Sequence, residues 1–151
     1  MKEVFGDMEL RGMETRDELA KYHDIRKRLL FDVYLPHLKY DPNHPDEVCA
    51  ANHQLGFFLR GQLIGTIRID FMGDASVAFR AIAVDGQYQN MGLGSILLKL
   101  AEKYAAKHGC DKISLHVNKK ATNFYKKNGY VEIGDWGVKL DPASISFGKN
   151  I

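Results

Sequence analysis

Gln89-Asn90-Met91-Gly92-Leu93-Gly94-Ser95 is the stretch that decides the reading of this chain, because the hydrophobic period changes across it. Ahead of it, Val77 to Val84 is a short apolar run suited to a central strand. Behind it, Leu93, Ile96, Leu97, Leu100 and Tyr104 fall on one face of a 3.6-residue helix. Lys103, Lys107 and His108 lie where cations favour the negative end of that helix, and Gly109 suits the residue after its last turn. Ile113 to Val117 reads as a further strand, so the order strand, helix, strand predicts a parallel pair joined by a crossover. The glycines sit where the strand hands over to the helix. Unpaired N–H groups and the positive dipole end attract an anion there, and glycine lets a phosphate approach the backbone.

Upstream, Thr15 and Glu18 form a capping box that predicts a helix start near Arg16. Tyr22, Ile25, Leu29 and Val33 give it an apolar stripe that lasts until Pro36. Met8 to Arg11 reads as a short first strand. Tyr40 to Glu47 has the prolines and acidic residues of a loop. Gln54 to Arg60 and Leu63 to Phe71, with Gly61 and Gln62 between them, read as a hairpin, and Gly73 with Asp74 turns the chain into Val77 to Val84. Downstream, Ala121 to Lys127 reads as a short helix ended by Gly129, with Tyr130 to Ile133 and Ile145 to Lys149 as the last strands. The class is α/β, of the α+β kind, and the length of 151 residues suits one domain, 1–151.

Lys plus Arg number 21 against 19 Asp plus Glu, so a net charge of +2 gives no reason to expect nucleic acid or an anionic membrane as partner. No apolar run approaches the ~20 residues of a membrane span. Cys49 and Cys110 form no C-x-x-C pair and no apolar leader opens the chain, which makes the cytoplasm the expected compartment. The histidines and cysteines lack the spacings of zinc sites, so no metal is expected.

A G-x-G alone fits a tight strand-to-helix turn as well as a phosphate cradle. A dinucleotide fingerprint would want a small residue where Leu97 stands and an acid where Asn118 stands, and a P-loop would want a lysine after its last glycine, where Ser95 stands. What the chain does resemble is the GNAT superfamily of N-acetyltransferases. Gln89-x-x-Gly92-x-Gly94-x-x-Leu97 is similar to that family's pyrophosphate motif. Asn118-x-x-Ala121-x-x-Phe124-Tyr125-x-x-x-Gly129-Tyr130 is similar to its second signature at every fixed position. The strong resemblance runs from Phe79 to Ile133, and the elements before it follow the family's order in pattern only.

The resemblance implies a GNAT-type central sheet, mixed but mostly antiparallel and twisted, of about six or seven strands flanked by about four helices. It implies acetyl-CoA as cofactor and an N-acetyltransferase acting by direct attack of a primary amine, on a small molecule or peptide, in a ternary complex. Gln89, Asn90, Met91, Gly92, Leu93, Gly94 and Ser95 would hold the pyrophosphate, main-chain groups at Ile82 and Val84 the pantetheine, and Asn118 its arm. Tyr125 would protonate the departing thiolate.

Amine pKa values near ~10.4 leave about one molecule in a few thousand neutral at pH 7, so a base must help. A thiol near ~8.5 could take a proton from a tyrosine without a large shift of the phenol. Many relatives place a glutamate on the fourth strand near the amine, and Val77 to Val84 holds no acid. His116 is the base assigned, with His53 and Asp70 as other candidates. The missing acid also leaves open a non-catalytic acyl-CoA-binding module. Lys119, Lys120, Lys126 and Lys127 read as a solvated face, Asp41, Asp46 and Glu47 as a polar loop, and exposed strand edges offer a homodimer contact.

Overall fold

The computed structural model describes all 151 residues. Its strands are β1 (Lys2–Phe5), β2 (Met8–Arg11), β3 (Asn52–Leu59), β4 (Gln62–Gly73), β5 (Ser76–Val84), β6 (Lys112–Val117), β7 (Val131–Glu132) and β8 (Ile145–Asn150). They form one 8-stranded sheet in the order β1-β2-β3-β4-β5-β6-β8-β7, antiparallel throughout except for the parallel β5–β6 pair. The helices are α1 (Arg16–Arg26), α2 (Asp32–Tyr34), α3 (Pro45–Val48), α4 (Leu93–Lys107) and α5 (Thr122–Lys127). None is long and apolar enough to cross a membrane.

The sheet holds one strand more than the upper expectation, because Lys2–Phe5 pairs with β2 around a Gly6-Asp7 turn. The only buried residue of that strand is Glu3, whose carboxylate meets Lys107 of α4 at 2.9 Å. A strand that buries its charge and exposes Val4 and Phe5 reverses the pattern by which strands are recognised. The hairpin turns also sit one residue away from the expected places. Leu59 pairs with Gln62 around Arg60 (φ 49) and Gly61 (φ 79), a primed turn that matches the twist of its strands. Arg60 tolerates the left-handed backbone with its guanidinium 2.8 Å from Asp7. The next turn uses Asp74 (φ 53) and Ala75 (φ 59) between Gly73 and Ser76.

α1 begins as expected, with the Thr15 hydroxyl accepting from Glu18 N at 3.1 Å. Its stripe does not run through to Val33. Residues Lys27–Phe31 form a π-turn, which adds a residue to the turn and rotates everything after it by about 100°. Tyr22 and Ile25 are fully buried, whereas Val33 is 58% exposed.

Two cores result. Under α4, Leu97, Leu98, Leu100 and Tyr104 pack on Leu55, Phe57, Ile67, Ile69, Val77, Phe79, Leu115 and Val117 from alternate positions of the sheet. Under α1, Tyr22 and Ile25 pack on Phe58, Leu63 and Ala83 of the other face. Each such aliphatic side chain contributes roughly 1.5–3 kcal/mol.

Candidate active site

β5 and β6 run side by side only at Ser76↔Lys112, Val77↔Ile113 and Ala78↔Ser114. From Phe79 to Val84 the edge of β5 that faces β6 has no strand partner, while β4 continues along its other edge. The cause is a β-bulge. Ala81 takes φ 53, the register with β4 jumps between Arg68 and Thr66, and the Thr66 hydroxyl ties down the Ala81 carbonyl at 3.2 Å. A backbone edge left bare in this way offers amide donors and acceptors to an extended ligand. Ile82 and Val84 both lie in this stretch.

Asp85 follows, its carboxylate accepting from Gly86 N at 2.8 Å and meeting Arg28 at 3.4 Å. The chain makes one 3-10 turn, Gly86–Tyr88, and enters α4 through two left-handed residues, Asn90 (φ 63) and Gly92 (φ 76). Gly92 is the N-cap and brings no side chain to the first-turn N–H groups of α4, which leaves them to an anion. The two glycines are needed for different reasons. A Cβ on Gly92 would meet nothing within 4 Å, so its φ demands glycine, whereas a Cβ on Gly94 would come within 3.0 Å of Phe124 Cζ. Gly94 therefore lets α5 sit against the first turn of α4. Leu93 and Ser95 flank it in that turn, and Met91 is 65% exposed at the tip of the loop.

Gln89 is engaged inside the protein, donating from Nε2 to the Val84 carbonyl at 2.9 Å. It latches the glycine loop to the end of β5. The Asn118 Oδ1 likewise accepts from Lys120 N at 2.9 Å, capping the turn that leads into α5 and leaving its Nδ2 amide without a protein partner.

Tyr125 is buried on α5, edge-on to Phe124 at 5.1 Å and to Tyr130 at 5.8 Å. Its hydroxyl makes no hydrogen bond to the protein, and burial pushes the phenol well above its ordinary value. The expectation of an unshifted phenol is thus corrected. Tyr130 anchors α5 from behind, donating to Glu102 Oε2 at 2.8 Å, with Lys149 on the same carboxylate at 3.1 Å.

The three candidate bases separate clearly. Asp70 is held by Arg68 through Nε and a terminal nitrogen at 2.7 and 2.8 Å and takes Arg80 Nε at 3.3 Å, so its lone pairs are spent on cations. His53 bonds the Tyr104 hydroxyl at 2.6 Å beneath the last turns of α4, far from the glycine loop at that helix's start. His116 sits on β6 just beyond the last pair with β5, stacked on Trp136 at 4.1 Å. Its Nε2 lies 2.8 Å from the Trp136 carbonyl, so the neutral ring donates there and keeps the Nδ1 lone pair free. Burial lowers its pKa and the Arg80 charge adds to that effect, against the Trp136 carbonyl that raises it, so the ring is mostly neutral at pH 7.

Sequence reasoning missed the charged network behind these residues. Glu47 is buried, with Arg26 and Arg68 on Oε1 and Gln54 on Oε2. Burial alone would raise its carboxyl, yet the Arg26 and Arg68 charges and the Gln54 hydrogen bond hold it below its ordinary value. It is an internal tie that pins α3 to α1 and the sheet. The readable signal was Arg80, a charge in the middle of an otherwise apolar run. A surface concavity of about 610 Å³ lies on the α1 side between Thr15, Leu19, Val48 and Asn52 and holds none of the glycine-loop residues.

A model of the acetyltransferase (GNAT) family matches residues 16–130. The chain belongs to that family. Among solved structures, this GNAT acetyltransferase is similar to one of the GNAT family from Staphylococcus aureus Mu50, at 19% identity over 95% of this chain and 98% of the other, with TM-score 0.74. A spermidine N-acetyltransferase SpeG chimera from Vibrio cholerae and hSSAT matches at 22% identity over 96% of both chains, with TM-score 0.73. The PaiA N-acetyltransferase from Thermoplasma acidophilum, solved with coenzyme A, matches at 18% identity over 95% of this chain and 99% of the other, with TM-score 0.73. These likenesses are of fold.

Proposed function

We propose that this GNAT acetyltransferase transfers an acetyl group from acetyl-CoA to a primary amine by direct attack. The observation that carries the reading is the bare β5 edge from Phe79 to Val84 leading into the Gly92-capped start of α4. Pantetheine amides pair with the main chain around Ile82, the Asn118 Nδ2 amide reaches the same arm, and the pyrophosphate rests on the first-turn N–H groups of α4.

His116 Nδ1 takes the proton of the attacking amine, directly or through a water. The C–N bond forms as the acyl C–S bond breaks, and the Tyr125 hydroxyl faces the departing sulfur. A phenol raised by burial keeps its proton at any ordinary pH, but passing it to a thiolate near ~8.5 is uphill. Its contribution is therefore a hydrogen bond to the developing charge, and the released thiolate takes its proton from solvent, to which His116 returns the one it accepted. An amine and a thioester become an amide and a thiol.

The test is Tyr125→Phe, assayed by thiol release with a panel of amines and by calorimetric titration with acetyl-CoA. The reading predicts a kcat lower by roughly 10²- to 10⁴-fold with acetyl-CoA affinity kept. Full activity in the variant would remove Tyr125 from the chemistry. Tight acetyl-CoA binding with no turnover of any amine by the wild type would favour the non-catalytic module.

A further inference from the structure

The face of the sheet beneath α1, where an amine must approach the parted strands, carries an unequal set of charges. Arg26, Arg68 and Arg80 contribute three positive charges, and Glu47 and Asp70 two negative ones, which leaves one in excess. Lys139 beside this group is matched by Asp135 at 2.8 Å, and His116 is neutral.

The excess has a definite place. Side-chain exposure is 2% for Arg26, 9% for Arg68, 5% for Glu47 and 11% for Asp70, against 29% for Arg80. Arg80 lies two residues past Ala78, the last β5 residue paired with β6. Val77 and Phe79, alternate residues just before it, pack under α4, so Arg80, next in the alternation and paired with Arg68, puts its side chain on the other face. Its Nε meets Asp70 at 3.3 Å, the carboxylate that Arg68 already grips through two shorter bonds. The two terminal nitrogens of Arg80 make no hydrogen bond to the protein. The guanidinium is held 5.1 Å from the Trp136 ring, which stacks on His116. A planar fork with free donors is thus fixed next to the proposed base.

We propose that the acceptor is an amine that also carries an oxyanion, a carboxylate or phosphate, within a few atoms of its nitrogen, and that Arg80 binds that oxyanion. Such a fork matches the two oxygens of a carboxylate or phosphate. A polyamine would bring further positive charge to a face that already has too much, which is the opposite of a complementary site. The inference rests on the acetyl-transfer reading of the same site and names the acceptor class for it.

The experiment measures kcat/KM by thiol release for matched pairs: each of the standard amino acids with its carboxamide, O-phosphoethanolamine with ethanolamine, and spermidine as a polycation. Wild type, Arg80→Gln and Arg80→Lys are compared, each checked by far-UV circular dichroism and by acetyl-CoA titration. At least one oxyanion-bearing member is expected to exceed its neutral partner by roughly 10- to 100-fold, the usual range for a charge-assisted hydrogen bond. Arg80→Gln should bring that ratio close to one through KM, Arg80→Lys should restore part of it, and both should bind acetyl-CoA as the wild type does. Amino acids and O-phosphoethanolamine tell the two oxyanions apart. Preference for spermidine or for the neutral partners, a ratio unchanged in Arg80→Gln, or turnover of neutral or cationic amines with none of any oxyanion-bearing amine would overturn the proposal alone. Failure of the wild type to bind acetyl-CoA would overturn the site reading beneath it.

Discussion

Glu47→Gln tests the buried network with nearly no change of volume. The Glu47 side chain is 5% exposed and its carboxylate accepts from Arg26, from Arg68 at 2.6 Å and from Gln54 at 2.9 Å. Without its charge, Arg68 still has Asp70, but Arg26, 2% exposed, loses its only anionic partner and keeps neutral acceptors alone, the substituted amide oxygen and the Tyr40 hydroxyl at 3.1 Å, while its Nε already lacks a partner. Uncovering one partner of a buried pair costs about 3–5 kcal/mol. At ~2–4 °C per kcal/mol for a chain of this size, the melting midpoint should fall by roughly 6–20 °C. Arg26→Met with Glu47→Leu removes both charges and leaves the Arg68–Asp70 pair intact, so the double variant should recover most of the loss. Thermal and urea unfolding followed by circular dichroism supply the numbers, with unchanged m-values as the check that one transition is compared. A fall below about 3 °C for Glu47→Gln, or a double variant no more stable than the sum of its singles, would refute the reasoning.

Acid should weaken the protein through the same group and through Glu18, whose carboxyl Arg11 and the helix start bring down to about 2. Both are depressed in the folded state, so their contribution is complete above the unfolded value near ~4.3 and is lost as pH falls below it. Melting midpoints from pH 6 to pH 2 should drop in the wild type and drop less in Glu47→Leu. Because burial lowers His116, the acid limb of kcat/KM should fall below the ordinary ~6.5 of histidine, and a limb at or above that value would remove His116 as base. Ala75→Gly should raise the melting midpoint by roughly 2–6 °C, since φ 59 costs an alanine about 1 kcal/mol or more, and a lower midpoint would mean that the turn is not strained there.

The fold was legible wherever periodicity and turn chemistry agree. α4, the meander and the capped start of α1 announce themselves through apolar spacing, and the glycine loop through its place between a strand and a helix. β1 was not legible, because it buries Glu3 and exposes Val4 and Phe5. The π-turn was not legible either, since one added residue leaves the composition of α1 unchanged while rotating Val33 away from the core. Around the proposed site, sequence spacing singled out Gly92, Gly94, Asn118 and Tyr125 but could not show that Gln89 bonds the Val84 carbonyl or that Gly94 accommodates Phe124. Nor could it pair Glu47 with Arg26 and Arg68, residues distant in sequence that only the folded sheet brings together. The absence of an acid on β5 was visible in the sequence, and so was Arg80, the one charge in that run.

The most direct test of the central claim is thermal unfolding of the purified protein with and without saturating acetyl-CoA, with NAD as the control dinucleotide. Ligand at 100 times its dissociation constant adds ~2.7 kcal/mol, a rise in midpoint of roughly 5–10 °C for a chain of this length. A rise with acetyl-CoA and none with NAD is the predicted result. An unchanged midpoint with acetyl-CoA would contradict the assignment of the bare β5 edge and the α4 start as its site.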